Sequence, residues 1–279
     1  MLKTITLILI MSSLRIGAKS FEKDLFYVND TTFLDYINSC EFQNPELSST
    51  ARLKAGYQLD SCLNYGLKAG WVENIFLQKG NLPNGLLYTI SEDGKIQTFT
   101  WAVPMERGEY KFFGQVLLRM RSKTRVQKLF DAGTFDDYDA LNQKKWPGGL
   151  IYHIEAKHYR KNMYYLALTY RPHGVNPQMK IIEPLVLGHK NIYFGAPVFS
   201  VLNFNDKHFA KPPSRLILSF SPNISASIRN GNRNGEILID RLAPMKSGTL
   251  ANYLDYGPTL STDILFFKKG KWLIKSSDK

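Results

Sequence analysis

The stretch Ser91-Glu92-Asp93-Gly94-Lys95-Ile96-Gln97-Thr98-Phe99-Thr100-Trp101, SEDGKIQTFTW, decides how this chain is read. Asp-Gly is a hairpin-turn dipeptide, because glycine enters the positive-φ region that tight turns need. Beyond it, Ile96 to Val103 alternates in a period of two and puts Phe99, Trp101 and Val103 on one face. Leu86 to Ile90 is a second β-rich run leading into the turn. Glu92 and Asp93 have no nearby sequence partner that would make them catalytic. The stretch therefore reads as a corner between two strands.

The same grammar continues to the C-terminus. Asn84-Gly85, Asn234-Gly235 and Lys269-Gly270 are further turn dipeptides beside β-rich runs. Strands are expected at Tyr110 to Met120, Leu150 to Ile154, Met163 to Tyr170, Met179 to Leu187 and Ile192 to Phe199. Others follow at Arg215 to Phe220, Ile224 to Arg229 and Glu236 to Asp240, with Asp263 to Phe267 and Lys271 to Ile274 as a closing hairpin. Many short strands joined by short turns predict a mainly β fold of antiparallel, up-and-down strands. The strand groups are roughly self-similar, which suits a small propeller-like array. A sandwich or half-open barrel fits the same pattern. Phe130 to Trp146 reads as a linker with one helical turn, a subdivision of the β region near 130–147.

Upstream, residues 21–80 read as a helical N-terminal segment before the β-rich domain at 81–279. Asn44-Pro45-Glu46 offers a helix start, and Leu47, Ala51, Ala55, Leu59, Cys62 and Leu63 recur at helical spacing. Thr31 to Cys40 suits a shorter helix alongside. Residues 1–20 read as a signal peptide: Lys3, an apolar run from Thr4 to Leu14, then Ala18-Lys19-Ser20 where a signal peptidase cuts, with Ser20 as the last leader residue. No cysteine follows the run as a lipoprotein would require. The run is too short for a bilayer anchor, which needs about 20 residues. The expectation is a periplasmic or secreted protein.

Export makes a Cys40–Cys62 disulfide possible, and two separately buried thiols satisfy the sequence equally. The formal charge of +12 becomes +9 once Lys3, Arg15 and Lys19 go with the leader. That balance points to anionic partners: acidic glycans, lipid headgroups or acidic envelope proteins, with nucleic acid the weaker choice outside the cytoplasm. Arg119, Arg121, Lys123 and Arg125, with Lys128 behind, alternate along one stretch and form a candidate anion-binding face.

Catalytic signatures are absent. The five histidines, His153, His158, His173, His189 and His208, lack metal-site spacing. Asp131, Asp136, Asp137 and Asp139 miss the register, glycine and closing glutamate of a calcium loop. There is no nucleophile elbow, phosphate-cradling loop or zinc-protease motif, and no cofactor is implied. A hydrolase would need a carboxylate pair brought together by folding, with Glu183, Asp240, Asp255 and Asp263 as candidates. Non-catalytic binding in the cell envelope is the first expectation, with a glycan- or lipid-directed hydrolase and a structural accessory of an envelope assembly as alternatives.

The SEDGKIQTFTW stretch and Tyr110-Lys111-Phe112-Phe113-Gly114 resemble the central signature of an uncharacterised family of exported β-rich bacterial proteins. Tyr164-Tyr165-Leu166-Ala167-Leu168, Lys180-Ile181-Ile182-Glu183, Phe194-Gly195-Ala196-Pro197-Val198-Phe199 and Ile239-Asp240-Arg241-Leu242-Ala243-Pro244 continue it in order. Tyr256-Gly257-Pro258 and Gly270-Lys271-Trp272 close it. The resemblance spans Leu82 to Ile274 and implies export and a β-rich fold, with no assigned activity. This chain departs from it at Arg241, where the family has His, at Thr259, where it has Asp, and at Asp263-Ile264, where it has Asp-Gly.

Overall fold

A computed structural model describes residues 30–70, 82–120, 123–231, 233, 235–246 and 253–276. The leader segment and Arg121 lie outside the described residues. Helix α1 (Asp30–Asn38) and helix α2 (Ser49–Ala69) precede the strands. The start of α2 falls later than Asn44-Pro45-Glu46 suggested. There the Asn44 side chain accepts from the Glu46 amide and makes a turn, while Ser48 Oγ accepts from the Ala51 amide and caps the helix. Gly70 ends it in the left-handed conformation, φ 77°. Ala55, Leu59, Cys62, Leu63 and Leu67 are buried along one face, as their spacing predicts.

Among the described residues sixteen strands follow. β1 (Leu87–Ile90), β2 (Ile96–Pro104), β3 (Tyr110–Met120) and β4 (Lys123–Phe130) form an antiparallel meander. The second sheet runs β5 (Leu141–Asn142), β9 (Ile192–Phe194), β8 (Gln178–Leu187), β7 (Asn162–Arg171), β6 (Leu150–Tyr159). β12 (Leu216–Phe220) pairs with the first half of β8, and β9 with its last residues. β10 (Asn203–Phe204) and β11 (Lys207–His208) make a small hairpin. A second four-stranded meander holds β13 (Ile228–Asn230), β14 (Ile237–Pro244), β15 (Tyr256–Lys268) and β16 (Lys271–Ser276).

These open sheets stack face to face, and none closes into a barrel. Three cores separate the layers. Phe99, Trp101 and Val103 meet Leu59, Cys62 and Leu63 between the helices and the first sheet. On the opposite face of β2, Ile96 and Ala102 join Ile154, Ala167 and Leu185 of the second sheet. Between the second sheet and the last, Leu166, Leu168 and Ile182 pack on Ile237, Leu265 and Trp272. The period of two thus sorts β2 and β7 into different cores on their two faces. Face-to-face meanders are the relationship that blades have in a propeller; here they form a stack with the helices covering one end.

Two boundaries differ from expectation. Residues 130–147 contain no helical turn: an isolated bridge from Asp131 to Trp146 closes the segment on itself, β5 lies inside it, and Trp146 is buried. β15 begins at Tyr256 rather than Asp263, because Tyr256-Gly257-Pro258 pairs with Leu242-Ala243-Pro244. A bulge sets residues 259–261 opposite Arg241 and leaves Leu260 fully exposed at φ 69°.

Candidate functional site: a groove with a basic rim

The SEDG corner is a built structure. Ser91 Oγ donates to Asp93 Oδ1 at 2.8 Å and accepts from the Ile96 amide at 3.0 Å. Asp93 Oδ1 also accepts from the Lys95 amide, and its Oδ2 pairs with Lys95 Nζ at 2.9 Å. From β7 of the second sheet, the Tyr165 hydroxyl donates to Asp93 Oδ2 at 2.7 Å. Burial pushes the Asp93 carboxyl up, but hydrogen bonds from Tyr165, Lys95 and Ser91 outweigh it and hold the group below its usual range.

Beside this corner lies a groove of about 450 Å³. Lys95 and Tyr165 line it, together with Lys161 and Asn162 of the β6–β7 turn. Met163, Tyr164 and Val186 form its apolar wall, with Trp272 buried behind. An aromatic series backs the wall: the Tyr164 ring lies 5.1 Å from Phe267, and Phe267 lies 5.1 Å from Trp272. Among the described residues no carboxylate lines the groove.

Two hairpin turns meet beside it. In the β15–β16 turn, Gly270 sits so close to the β6–β7 hairpin that a Cβ there would lie 3.1 Å from the Tyr164 hydroxyl and 3.2 Å from the Tyr159 ring. Across this turn Lys268 pairs with Lys271 on the face opposite to Phe267 and Trp272, and Lys269 sits at the tip. Lys271 Nζ donates to the Pro197 carbonyl at 2.9 Å, and the Arg160 guanidinium lies over the Tyr159 ring at 5.3 Å. Lys161, Lys268 and Lys269 are exposed, with no acidic partner among the described residues. Two of the turn cations hold positive φ, Arg160 at 56° and Lys269 at 49°. Asn, Asp or Gly would occupy those angles at lower cost. The chain places cations where turn chemistry favours other residues.

The residues singled out from sequence are placed elsewhere. Arg119 pairs across the hairpin with Thr124, and Leu118 with Arg125, so Arg119 and Arg125 point to opposite faces of the first sheet. Lys123, paired with Met120, shares the Arg125 face. The single face of four cations is therefore not formed, because the β3–β4 turn reverses the chain within the run. Arg125 Nη1 donates to the carbonyls of His189 and Lys190, both at 3.2 Å. Lys128 pairs with Asp60 of α2 at 2.7 Å.

Each candidate acid is engaged in holding the fold. Glu183 is buried and held by Arg215, with Nε to Oε2 at 2.9 Å and Nη2 to Oε1 at 3.2 Å. Burial pushes the Glu183 carboxyl up to about 7, against the opposing pull of Arg215. Asp240 accepts from the Ser227 amide, Asp255 lies 3.7 Å from Lys246, and Asp263 pairs with Arg241 at 2.6 Å. Thr259 Oγ1 donates to the Arg241 carbonyl at 3.4 Å. Arg241 and Thr259, two of the positions where the chain departs from the resembled pattern, thus meet at the β14–β15 bulge, and Asp263 joins them through Arg241.

Among the described residues no cluster of His, Cys, Asp or Glu could hold a metal ion, and no helix is long and apolar enough to cross a membrane. Cys40 and Cys62 are buried free thiols in the core between the helices and the first sheet. Burial pushes them up to about 11 and about 12, and Cys40 adds to the rise at Cys62. Comparison of the chain with known protein families, characterised proteins and solved structures finds no match in any of the three.

The groove had a sequence signal that strand grammar conceals. Lys95, Arg160-Lys161 and Lys268-Lys269-Gly270-Lys271 all sit in or beside tight hairpin turns, far apart in the chain. Charge at turn positions, rather than charge in a run, was the mark of the rim.

Proposed function

We propose that this protein acts by non-catalytic binding of an anionic glycan in the groove beside the β6–β7 turn, outside the cytoplasm. The observation that carries the reading is the combination of an apolar, aromatic-backed wall with Lys95 and Lys161 in the lining and, among the described residues, no acid there. The volume lies within the range of small-ligand sites, roughly 300 to 1,000 Å³. Tyr164 offers a ring to the C–H face of a sugar, and Asn162 offers amide hydrogen bonds. The rim lysines raise the local concentration of anions and pair with their charges at short range, an effect screened by salt within about 8 Å at physiological ionic strength.

Export supplies the setting, through the leader reading of residues 1–20. The engagement of Glu183, Asp240, Asp255 and Asp263 in structural contacts favours binding over hydrolysis. The test is retention of the purified protein on immobilised acidic and neutral polysaccharides, with anionic phospholipid vesicles as a third arm. Retention on the acidic polysaccharide, released by salt, is the expected result. Retention by vesicles alone would transfer the site to a lipid headgroup, and retention by none would end the reading.

A further inference from the structure

The groove opens where two neighbouring strands of the second sheet part. The ladder between β7 and β8 ends at Tyr165 and Leu185. Both strands nevertheless run on, β7 to Asn162 beside β6 and β8 to Leu187 beside β9. Where two further pairs would lie, Met163 and Tyr164 on one strand and Val186 and Leu187 on the other line the groove. The alternation of an antiparallel ladder fixes which main-chain groups face the gap. The Pro184 carbonyl points away from β7, accepting from the Gly195 amide at 2.9 Å, so Leu185 and Leu187 turn theirs toward β7. The tight β6–β7 turn pairs Tyr159 with Asn162, so Asn162 and Tyr164 bond toward β6 and Met163 faces β8.

Met163 and Leu187 thus each present one N–H and one C=O to the groove, with no ladder partner among the described residues. A peptide strand adds along a row of such groups. Here each strand offers a single residue, which suits a ligand with one amide. A trans amide points its N–H and its C=O in opposite directions, so one such group between the strands reaches both. An acetamido group supplies that amide, and its methyl fits the wall of Tyr164, Val186 and Val198. Of the two cations in the lining, Lys95 is held by Asp93 at 2.9 Å. Lys161 is exposed, with no acidic partner among the described residues.

We infer, resting on the binding reading above, that the glycan contains an N-acetylated sugar whose acetamido group bridges the main chains of Met163 and Leu187. Its acid group meets Lys161, and Asn162 beside it is left for sugar hydroxyls. The parting of β7 from β8 is then the recognition element, and it reads an amide that an acidic sugar without one lacks.

The test presents three probes to the purified protein. A hyaluronan hexasaccharide carries acetamido groups and carboxylates, and a galacturonate oligomer of equal charge carries carboxylates alone. An extended peptide of alternating alanine and glutamate is the third. Affinity is read by titration calorimetry, and amide hydrogen exchange at Met163 and Leu187 by NMR. The hexasaccharide is expected to bind about tenfold or more tightly than the galacturonate and to slow exchange of at least one of the two amides, which the galacturonate leaves unchanged. Equal or tighter binding of the galacturonate, or exchange at both amides unmoved by bound hexasaccharide, overturns the acetamido inference while leaving anionic-glycan binding in place. Tightest binding by the peptide, with both amides slowed, gives the groove to a protein strand and overturns both readings. Binding of no probe overturns both as well.

Discussion

The Tyr165 hydroxyl donates to Asp93 Oδ2 across 2.7 Å, joining residues 72 positions apart in the chain. One bond fixes the SEDG corner of the first sheet to β7 of the second, and it sets Lys95 at the end of the groove. The corner is thus also a clamp between layers.

Asp93→Asn is expected to lower stability by about 1 kcal/mol at neutral pH, through loss of charge-assisted hydrogen bonds at a partly exposed site. The sign of its pH dependence follows from the depressed carboxyl. The stabilisation is present above the unfolded carboxyl pKa of about 3.9 and is lost as pH falls through the lower folded value. Urea unfolding at several pH values should show the gap between the two proteins closing in acid.

Trp101 is fully buried and stacked on Phe113 at a centroid distance of 5.4 Å, yet its indole N–H has no hydrogen-bond partner. Packing rather than polarity holds it. Trp101→Ala should therefore cost about 3 to 5 kcal/mol, and Trp101→Phe distinctly less. Chemical denaturation of both variants checks the order.

The Glu183–Arg215 pair is closed off from solvent, with the Arg215 side chain wholly buried. Removing one partner strands the other, so Glu183→Leu or Arg215→Met alone should destabilise by about 3 to 5 kcal/mol. The double substitution should cost less than either single one. A double-mutant cycle by denaturant unfolding would show equal or additive losses if the pair were solvated.

Cys40 and Cys62, as buried thiols, should resist a water-soluble thiol reagent in the folded protein and react together on unfolding. Unfolding without reductant that releases no thiol would instead reveal a disulfide between them.

Much of the fold was legible in local pattern. The alternation of Phe99, Trp101 and Val103 and the stripe from Ala55 to Leu63 meet in one core, as their periods require. The length of β15 was hidden because Gly257 and Pro258 carry no local strand pattern, and their pairing partners lie upstream in β14. The site was less legible for the same reason. Arg119 to Arg125 were adjacent in sequence and are divided by a turn, while the β6–β7 and β15–β16 turns are over a hundred positions apart and meet where Gly270 packs on Tyr159 and Tyr164. Nothing local encodes a contact between two hairpin tips.

Lys269→Asn suits the positive φ of 49° better than lysine does, so this variant should be as stable as the parent or slightly more so. Combined with Lys161→Gln, it removes exposed charge at the two touching turns without touching a core. The decisive measurement is the affinity of this double variant for an acidic oligosaccharide, beside a control carrying Lys123→Gln and Arg125→Gln on β4. The rim variant should lose on the order of tenfold or more in affinity at moderate salt, with its unfolding midpoint retained, and the control should bind as the parent does. Unchanged affinity in the rim variant, or an equal loss in the β4 control, would contradict the groove as the binding site.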